Sequence, residues 1–312
     1  SKPVVLAAAA AAAAYYLYKN KKEDEPEEVV RVSHAEALEK TTAALKAVGW
    51  DDEGARVQAS IMVSSEACGN NQGLVKMFKP ELMSPAPGAG KPVVERETAS
   101  SAVVKGNQSP GMLALTKAVD LACAKAKGGV ASVGVYDTST SSGQLAFYGA
   151  RPAEKGRIVI ITANSPEFVA AKAGAKASFG TNPLCFACPV EGRSPFVFDM
   201  STAAIALFGV LTCKAKGQPL PKQSAYDSNG NWTTKVEDIH IGGGGGAIAA
   251  GGSIAAAARA CASVLGVRLA PLPLRMQNAP TDAASEQVFD VYTSTMLAER
   301  RAAFITVRVA FA

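Results

Sequence analysis

The side chains able to carry chemistry in this chain are few, and their settings narrow what they can do. Two histidines, His34 and His240, are the only imidazoles in 312 residues. His34 stands in Ser33-His-Ala-Glu36, a helix capping box, and reads as a solvated first-turn residue. Cys185 and Cys188 form a Cys-x-x-Cys pair inside an apolar run bounded by Pro183 and Pro189. A redox pair of this kind belongs at a helix N-terminus, where the thiol pKa is lowered. This one reads as two small buried residues on a strand, and no second pair suggests zinc. Gly242–Gly246 lacks the Lys-Ser/Thr of a phosphate loop and reads as a flexible loop. What remains are stretches rich in hydroxyls and amides: Gly69-Asn-Asn-Gln-Gly-Leu-Val-Lys76, Asp137–Gly143, Ala163-Asn-Ser-Pro166, Gly180-Thr-Asn-Pro183 and Asp199-Met-Ser-Thr202.

The run Phe179-Gly-Thr-Asn-Pro-Leu-Cys-Phe-Ala-Cys-Pro189, closed by Phe198-Asp-Met-Ser-Thr202, resembles the central signature of the type-2 malate/L-lactate dehydrogenase family, which includes ureidoglycolate and sulfolactate dehydrogenases. The resemblance covers about Val32 to Leu265 and is most specific from Gly129 to Asp238. It implies a mixed-sheet α/β fold distinct from the Rossmann fold, an NAD or NADP cofactor, and hydride transfer on a small 2-hydroxy acid. Such a reaction needs an acid/base group of near-neutral pKa and a cation for the substrate carboxylate, preferably arginine for its bidentate fork. Set against the family's motifs, Gln72 takes a histidine's place, Lys76 an arginine's, and Ser141 that of the acid/base histidine. The family's substrate-contacting lysine falls at Ala249. Gln72 cannot change charge, Lys76 keeps the charge without the fork, and a serine hydroxyl is a poor base unless activated. No confident catalytic residue and no metal site emerge. By the same resemblance Ser165, Gly180, Thr181, Asn182, Asp199, Met200 and Ser201 line the dinucleotide site; the competing reading is that they only maintain turns.

Three functions follow as expectations. The first is a catalytically degenerate dehydrogenase retained as an accessory or structural subunit of a membrane-associated complex. The second is an active NAD(P)-dependent oxidoreductase of malate or lactate, with Lys76 binding carboxylate and Tyr136, Tyr148, Lys105 or Lys155 moving protons. The third is an NAD(P)-binding sensor without turnover.

The elements that must position these groups are legible in outline. The chain is 48% hydrophobic and 19% charged with a net charge of +5, enough for a sizeable core. Its basic residues are scattered, which argues against a nucleic-acid partner. Residues 3–18 carry no charge and, as a helix, span roughly 24 Å, suiting a single-pass or interfacial anchor. An acidic linker follows over residues 23–31. The alanine-rich, apolar N-terminus fits an organellar membrane, mitochondrial or plastid, with contacts to other protein subunits; a homodimer is a further expectation. Residues 1–22 form the anchor helix. Residues 32–115 and 248–312 form a helical, dimerisation-type part around a cofactor-domain-like α/β part at 116–247. Asp51 or Asp52 caps a second helix through Val63. Glu97–Val104, Ala131–Tyr136, Ile158–Thr162, Thr181–Pro189 and Pro195–Asp199 read as strands, Leu113–Ala126 and Ser285–Arg301 as helices, and Ala303–Phe311 as a last strand.

Overall fold

Serine and aspartate hydrogen-bond chemistry starts the first two helices. In the computed structural model, which describes residues 31–78, 83–127, 129–239, 246–250 and the backbone of 303–309, Ser33 Oγ accepts from Glu36 N at 3.1 Å and opens α1 (His34–Ala47). The Glu36 carboxylate pairs with Lys40 at 2.8 Å, one turn along the helix. Asp51, not Asp52, caps α2 (Asp52–Ala67), accepting from Gly54 N at 2.8 Å. A 3-10 turn, Leu74–Phe78, follows. His34 is exposed, as its place in the first turn predicts. The anchor at residues 1–22, His240, Gly242–Gly245 and the helix expected at Ser285–Arg301 lie outside the described residues. Among the described residues, no helix is long and apolar enough to cross a membrane.

The stretch read as a single strand from Glu97 to Val104 is two antiparallel strands, β1 (Val93–Glu97) and β2 (Ser101–Pro110). Thr98 makes the reversal: its N–H donates to Ser101 O at 2.8 Å, and its Oγ1 accepts from the Ser101 amide at 3.0 Å. Then come α3 (Gly111–Lys125), β3 (Val130–Thr140), α4 (Leu145–Ala153), β4 (Arg157–Ala163), β5 (Val169–Ala170), β6 (Leu184–Cys188) and β7 (Phe196–Met200). They are followed by α5 (Leu207–Ala215), β8 (Ala225–Tyr226), β9 (Trp232–Thr233), β10 (Ala247–Ala249) and β11 (Ala303–Val309).

One sheet has seven strands in the order β1-β2-β3-β11-β4-β6-β7. Strands β2, β3, β11 and β4 run parallel, while β1, β6 and β7 pair antiparallel at the two sides, so the mixed α/β class is observed. The last strand, grouped by sequence with residues 32–115, pairs on both sides inside this sheet, Val307 opposite Val133 and Ile161. A smaller sheet, β5-β10-β8-β9, is formed by strands that fall in sequence between β4 and β11.

Periodicity explains the core. Ala131, Val133 and Val135 alternate inward along β3, and Met112, Leu115, Ala118, Val119 and Ala122 of α3 form one buried cluster with them. Burying side chains of this size stabilises by about 1.5–3 kcal/mol each for the larger ones. Helix α4 sits unusually close to β6: a Cβ on Gly149 would lie 2.9 Å from Cys185 Sγ. Cys185 belongs to the main core, whereas Cys188 joins Ile158 and Phe186 in a separate cluster. Three residues apart on a strand, the two thiols face opposite sides of the sheet. The reading of the Cys-x-x-Cys as two buried residues holds, and burial pushes the Cys188 thiol up to about 11.

Candidate active site

Because β2, β3 and β4 are parallel, their carboxyl ends share one rim, and the loops after β3 and β4 leave from it carrying Ser141 and Ser165. In open α/β sheets this rim is where ligands bind.

The Ser165 loop meets the Gly180-Thr-Asn-Pro183 turn in a corner tied by hydroxyls. Ser165 Oγ accepts from Thr181 N at 2.7 Å and lies 3.1 Å from Thr181 Oγ1. The Thr181 carbonyl in turn accepts from Ser201 Oγ at 3.0 Å, from Thr202 Oγ1 at 3.2 Å and from Thr202 N at 3.0 Å. Thr202 Oγ1 also reaches Asn182 O at 3.1 Å. Gly180 is obligatory: a Cβ there would collide with Ser165 O and lie 2.6 Å from Asn182 Oδ1. Asn182 itself has φ 34°, in the left-handed region that asparagine tolerates. Its Oδ1 is buried with no hydrogen-bond partner among the described residues. Five of the seven residues expected at the dinucleotide site, Ser165, Gly180, Thr181, Asn182 and Ser201, therefore meet in one corner. Thr181, expected in a strand, belongs to this turn, and the strand starts at Leu184.

Asp199 and Met200 close β7, where they pair with Cys185 and Leu184. The Asp199 carboxylate is turned to the N-terminus of α4, accepting from Ala146 N at 2.8 Å. Burial raises its pKa above 3.8, and the Ala146 and Leu145 amides pull the other way. Here Asp199 acts as a helix cap.

Ser141 hangs in the loop between β3 and α4, its Oγ accepting from Gly143 N at 3.3 Å. Gly143 has φ 75° and a Cβ at this position would lie 2.7 Å from Ile61 Cγ2, so this loop rests on α2. Gln72 and Lys76 sit beyond the end of α2. Lys76 is 2% exposed, its Nζ donating to Gln72 O at 2.6 Å and Gln72 Oε1 at 3.0 Å. The ammonium also lies 4.1 Å from the Phe208 ring centroid. Burial lowers its pKa to about 7, with Glu66 acting in the opposite sense. Since α5 begins just after the Ser201–Thr202 segment, it is the element that sets Phe208 over Lys76 and joins this group to the corner. Ala249, at the position of the missing lysine, is fully buried in β10, and its carbonyl accepts from Ala204 N at 3.0 Å.

Phe208, Thr202's three hydrogen bonds to the turn and the Gln72–Lys76 pairing were not foreseen. An aromatic in an apolar helix gives no chemical signal; Thr202 stood beside three expected residues and could have been added. Of the substitute proton carriers, Tyr148 is fully buried, donating to Ser142 O at 2.6 Å. Tyr136 bonds Glu95 at 2.8 Å on the surface. Lys155 lies at the other rim, just before β4. Among the described residues, no group of three or more His, Cys, Asp or Glu could hold a metal.

Comparison with known proteins places the chain in a family with this fold. A malate dehydrogenase of Pyrococcus horikoshii is 28% identical over 221 residues, 70% of this chain and 61% of that enzyme. A ureidoglycolate dehydrogenase (NAD(+)) of Escherichia coli is 30% identical over 197 residues, 62% of this chain and 56% of its own length. The chain thus spans about three fifths of these relatives. The crystal structure of malate dehydrogenase from Entamoeba histolytica superposes with a TM-score of 0.63 at 25% identity, covering 70% of this chain and 63% of that one. The malate/L-lactate dehydrogenase family model matches residues 32–270, and the chain belongs to that family.

Proposed function

We propose that the chain is an NAD(P)-dependent oxidoreductase of a small 2-hydroxy acid such as malate or lactate. The observation that carries this reading is the Ser165–Thr181–Ser201 corner at the carboxyl rim. It offers neutral hydroxyl and amide groups, including the unpartnered Asn182 Oδ1, and no fixed charge. That set of donors and acceptors fits the carboxamide and sugar hydroxyls of a dinucleotide. NAD or NADP, when bound, supplies the hydride acceptor. Ser165, Thr181 and Ser201 hold the backbone of the turn in place. The proton leaving a substrate hydroxyl needs a base of near-neutral pKa, and Lys76, at about 7, has that property. A substrate oxygen reaching Lys76 takes the place of Gln72 Oε1, now 3.0 Å away.

A second reading is favoured by a specific observation. Ser141 stands at the acid/base position with only a local bond to Gly143, and Gln72 occupies two donors of Lys76. On that reading the corner binds NAD(P) without turnover, as a sensor, or the chain serves only as an accessory or structural subunit. The subunit form would sit in a mitochondrial or plastid membrane complex through residues 3–18, alone or as a homodimer.

Titration with NADH and NADPH by cofactor fluorescence, followed by an assay with malate, lactate and ureidoglycolate, separates these. Saturable binding with cofactor reduction that is lost in K76M supports the oxidoreductase. Binding without turnover supports the sensor, and no binding up to millimolar cofactor overturns the oxidoreductase and the sensor and leaves the structural subunit.

A further inference from the structure

We propose that the chain carries a second binding site, for a phosphate-bearing small molecule, at the rim of the sheet opposite Ser141 and Ser165. The site is a depression of about 310 Å³ between the C-terminal halves of α3 and α4 and the start of β4. That volume is at the small end of ligand pockets. Lys127, Arg151, Lys155 and Arg157 line it, with Asp120 as the one carboxylate in its wall. Asp120 pairs with Arg151 at 2.9 Å. Among the described residues, Lys127, Lys155 and Arg157 have no carboxylate at ion-pair distance.

Basic residues also gather at helix C-termini for a simpler reason, and two such ends face this depression. Each end is worth about half a negative charge, so together with Asp120 they leave roughly two positive charges uncompensated. The thiol of Cys123 adds no negative charge, because burial above all raises its pKa, against the pull of Arg157, Arg151 and Lys155. Arg157 gives the most direct sign. Its Nε is buried with no hydrogen-bond partner among the described residues. A buried guanidinium donor left unpaired is costly, and an Arg157 side chain turned onto a phosphate oxygen in the depression is relieved of that cost in the forked geometry arginine favours. The apolar remainder of the lining, Val119, Ala124 and Pro152, fits a small body attached to the phosphate and not an extended polyanion.

The test is calorimetric titration of the full chain with inorganic pyrophosphate at constant ionic strength. Saturable binding near one equivalent is expected, weakened about tenfold or more in R157Q, a loss typical of one hydrogen bond to a charged group. K127Q/K155Q keeps the test decisive if R157Q fails to fold, because both lysines are exposed and, among the described residues, form no ion pair. Pyrophosphate binding that persists in the presence of saturating NADH places it away from the corner at the other rim and supports the proposal. Absence of saturable heat, binding unchanged in K127Q/K155Q, or displacement by NADH overturns it. Failure here leaves NADH binding untouched, so the two sites are judged separately.

Discussion

A lysine ammonium enclosed by a glutamine and a phenylalanine ring ties the stability of the whole fold to one proton. The ordinary value for Lys76 is 10.5, and burial lowers it to about 7 in the folded chain. Between those values the unfolded chain holds a proton that the folded chain has released. Stability contributed by this residue therefore rises with pH through that window, and below about 7 the fold carries the full cost of the buried charge. K76M removes the titrating group. Urea unfolding of both proteins from about pH 7 to about pH 9.5 should show wild type gaining on K76M as pH rises. A constant gap would mean that Lys76 stays protonated in the fold, held by Gln72, and it would remove the base from the proposed mechanism. The corner at Gly180 makes a second prediction at this scale. The Cβ of G180A meets the Ser165 carbonyl and two short side chains, those of Ser165 and Asn182. The substitution should cost about 1–3 kcal/mol, as overpacking does, and weaken NADH binding, whereas A177G, outside the corner, should leave that binding unchanged.

At the scale of elements, β7 and α4 are coupled through a single carboxylate. Asp199 accepts from the first amides of α4 although it lies on a strand 53 residues further along the chain. Replacing it with alanine should cost about 1 kcal/mol, the usual loss of a helix cap. D199N keeps an acceptor there and should cost less. The folded pKa of Asp199 is raised above 3.8, mainly by burial. From 3.8 up through that raised value the folded chain binds the extra proton, so wild type loses stability relative to D199N as pH rises. Thermal melting between about pH 3.5 and pH 7 reads this directly; parallel curves would sink the argument. Family resemblance singles out Asp199 in the sequence as a cofactor-site residue; its bond to the start of α4 is not legible there, because a cap supplied from a distant strand leaves no local pattern. The Thr98 reversal was hidden for a different reason: its bonds are local, but side-chain hydroxyls and not glycine or proline make the turn. Strands with period-2 burial, such as β3, and helices with polar caps, such as α1 and α2, were legible because their causes lie within a few residues.

At the scale of the molecule, the order of strands decides how the site is assembled. Strands β3 and β4 are consecutive in sequence around α4, yet they do not pair with each other. β11 lies between them, with Ile305 opposite Ala131 on one side and Val159 on the other. No periodicity within Ala303–Val309 could reveal that position, since a parallel pairing across so long a separation is a property of the finished sheet. The consequence is that the rim carrying Ser141 and Ser165 is joined only when the last segment inserts. Without β11, β3 and β4 each present an unpaired row of backbone groups, a template for association with other chains. Such long-range parallel pairing is also slow to form. A chain ending at residue 302 should therefore be insoluble or bind no NADH, even though every residue of the Ser165–Thr181–Ser201 corner remains. Supplying Ala303–Val309 in trans as a peptide fused to a soluble carrier should restore some NADH binding. If the shortened chain is soluble and binds NADH as well as the whole, the central place of β11 in the sheet is wrong, and the two sides of the rim are held together by α3 and α4 alone.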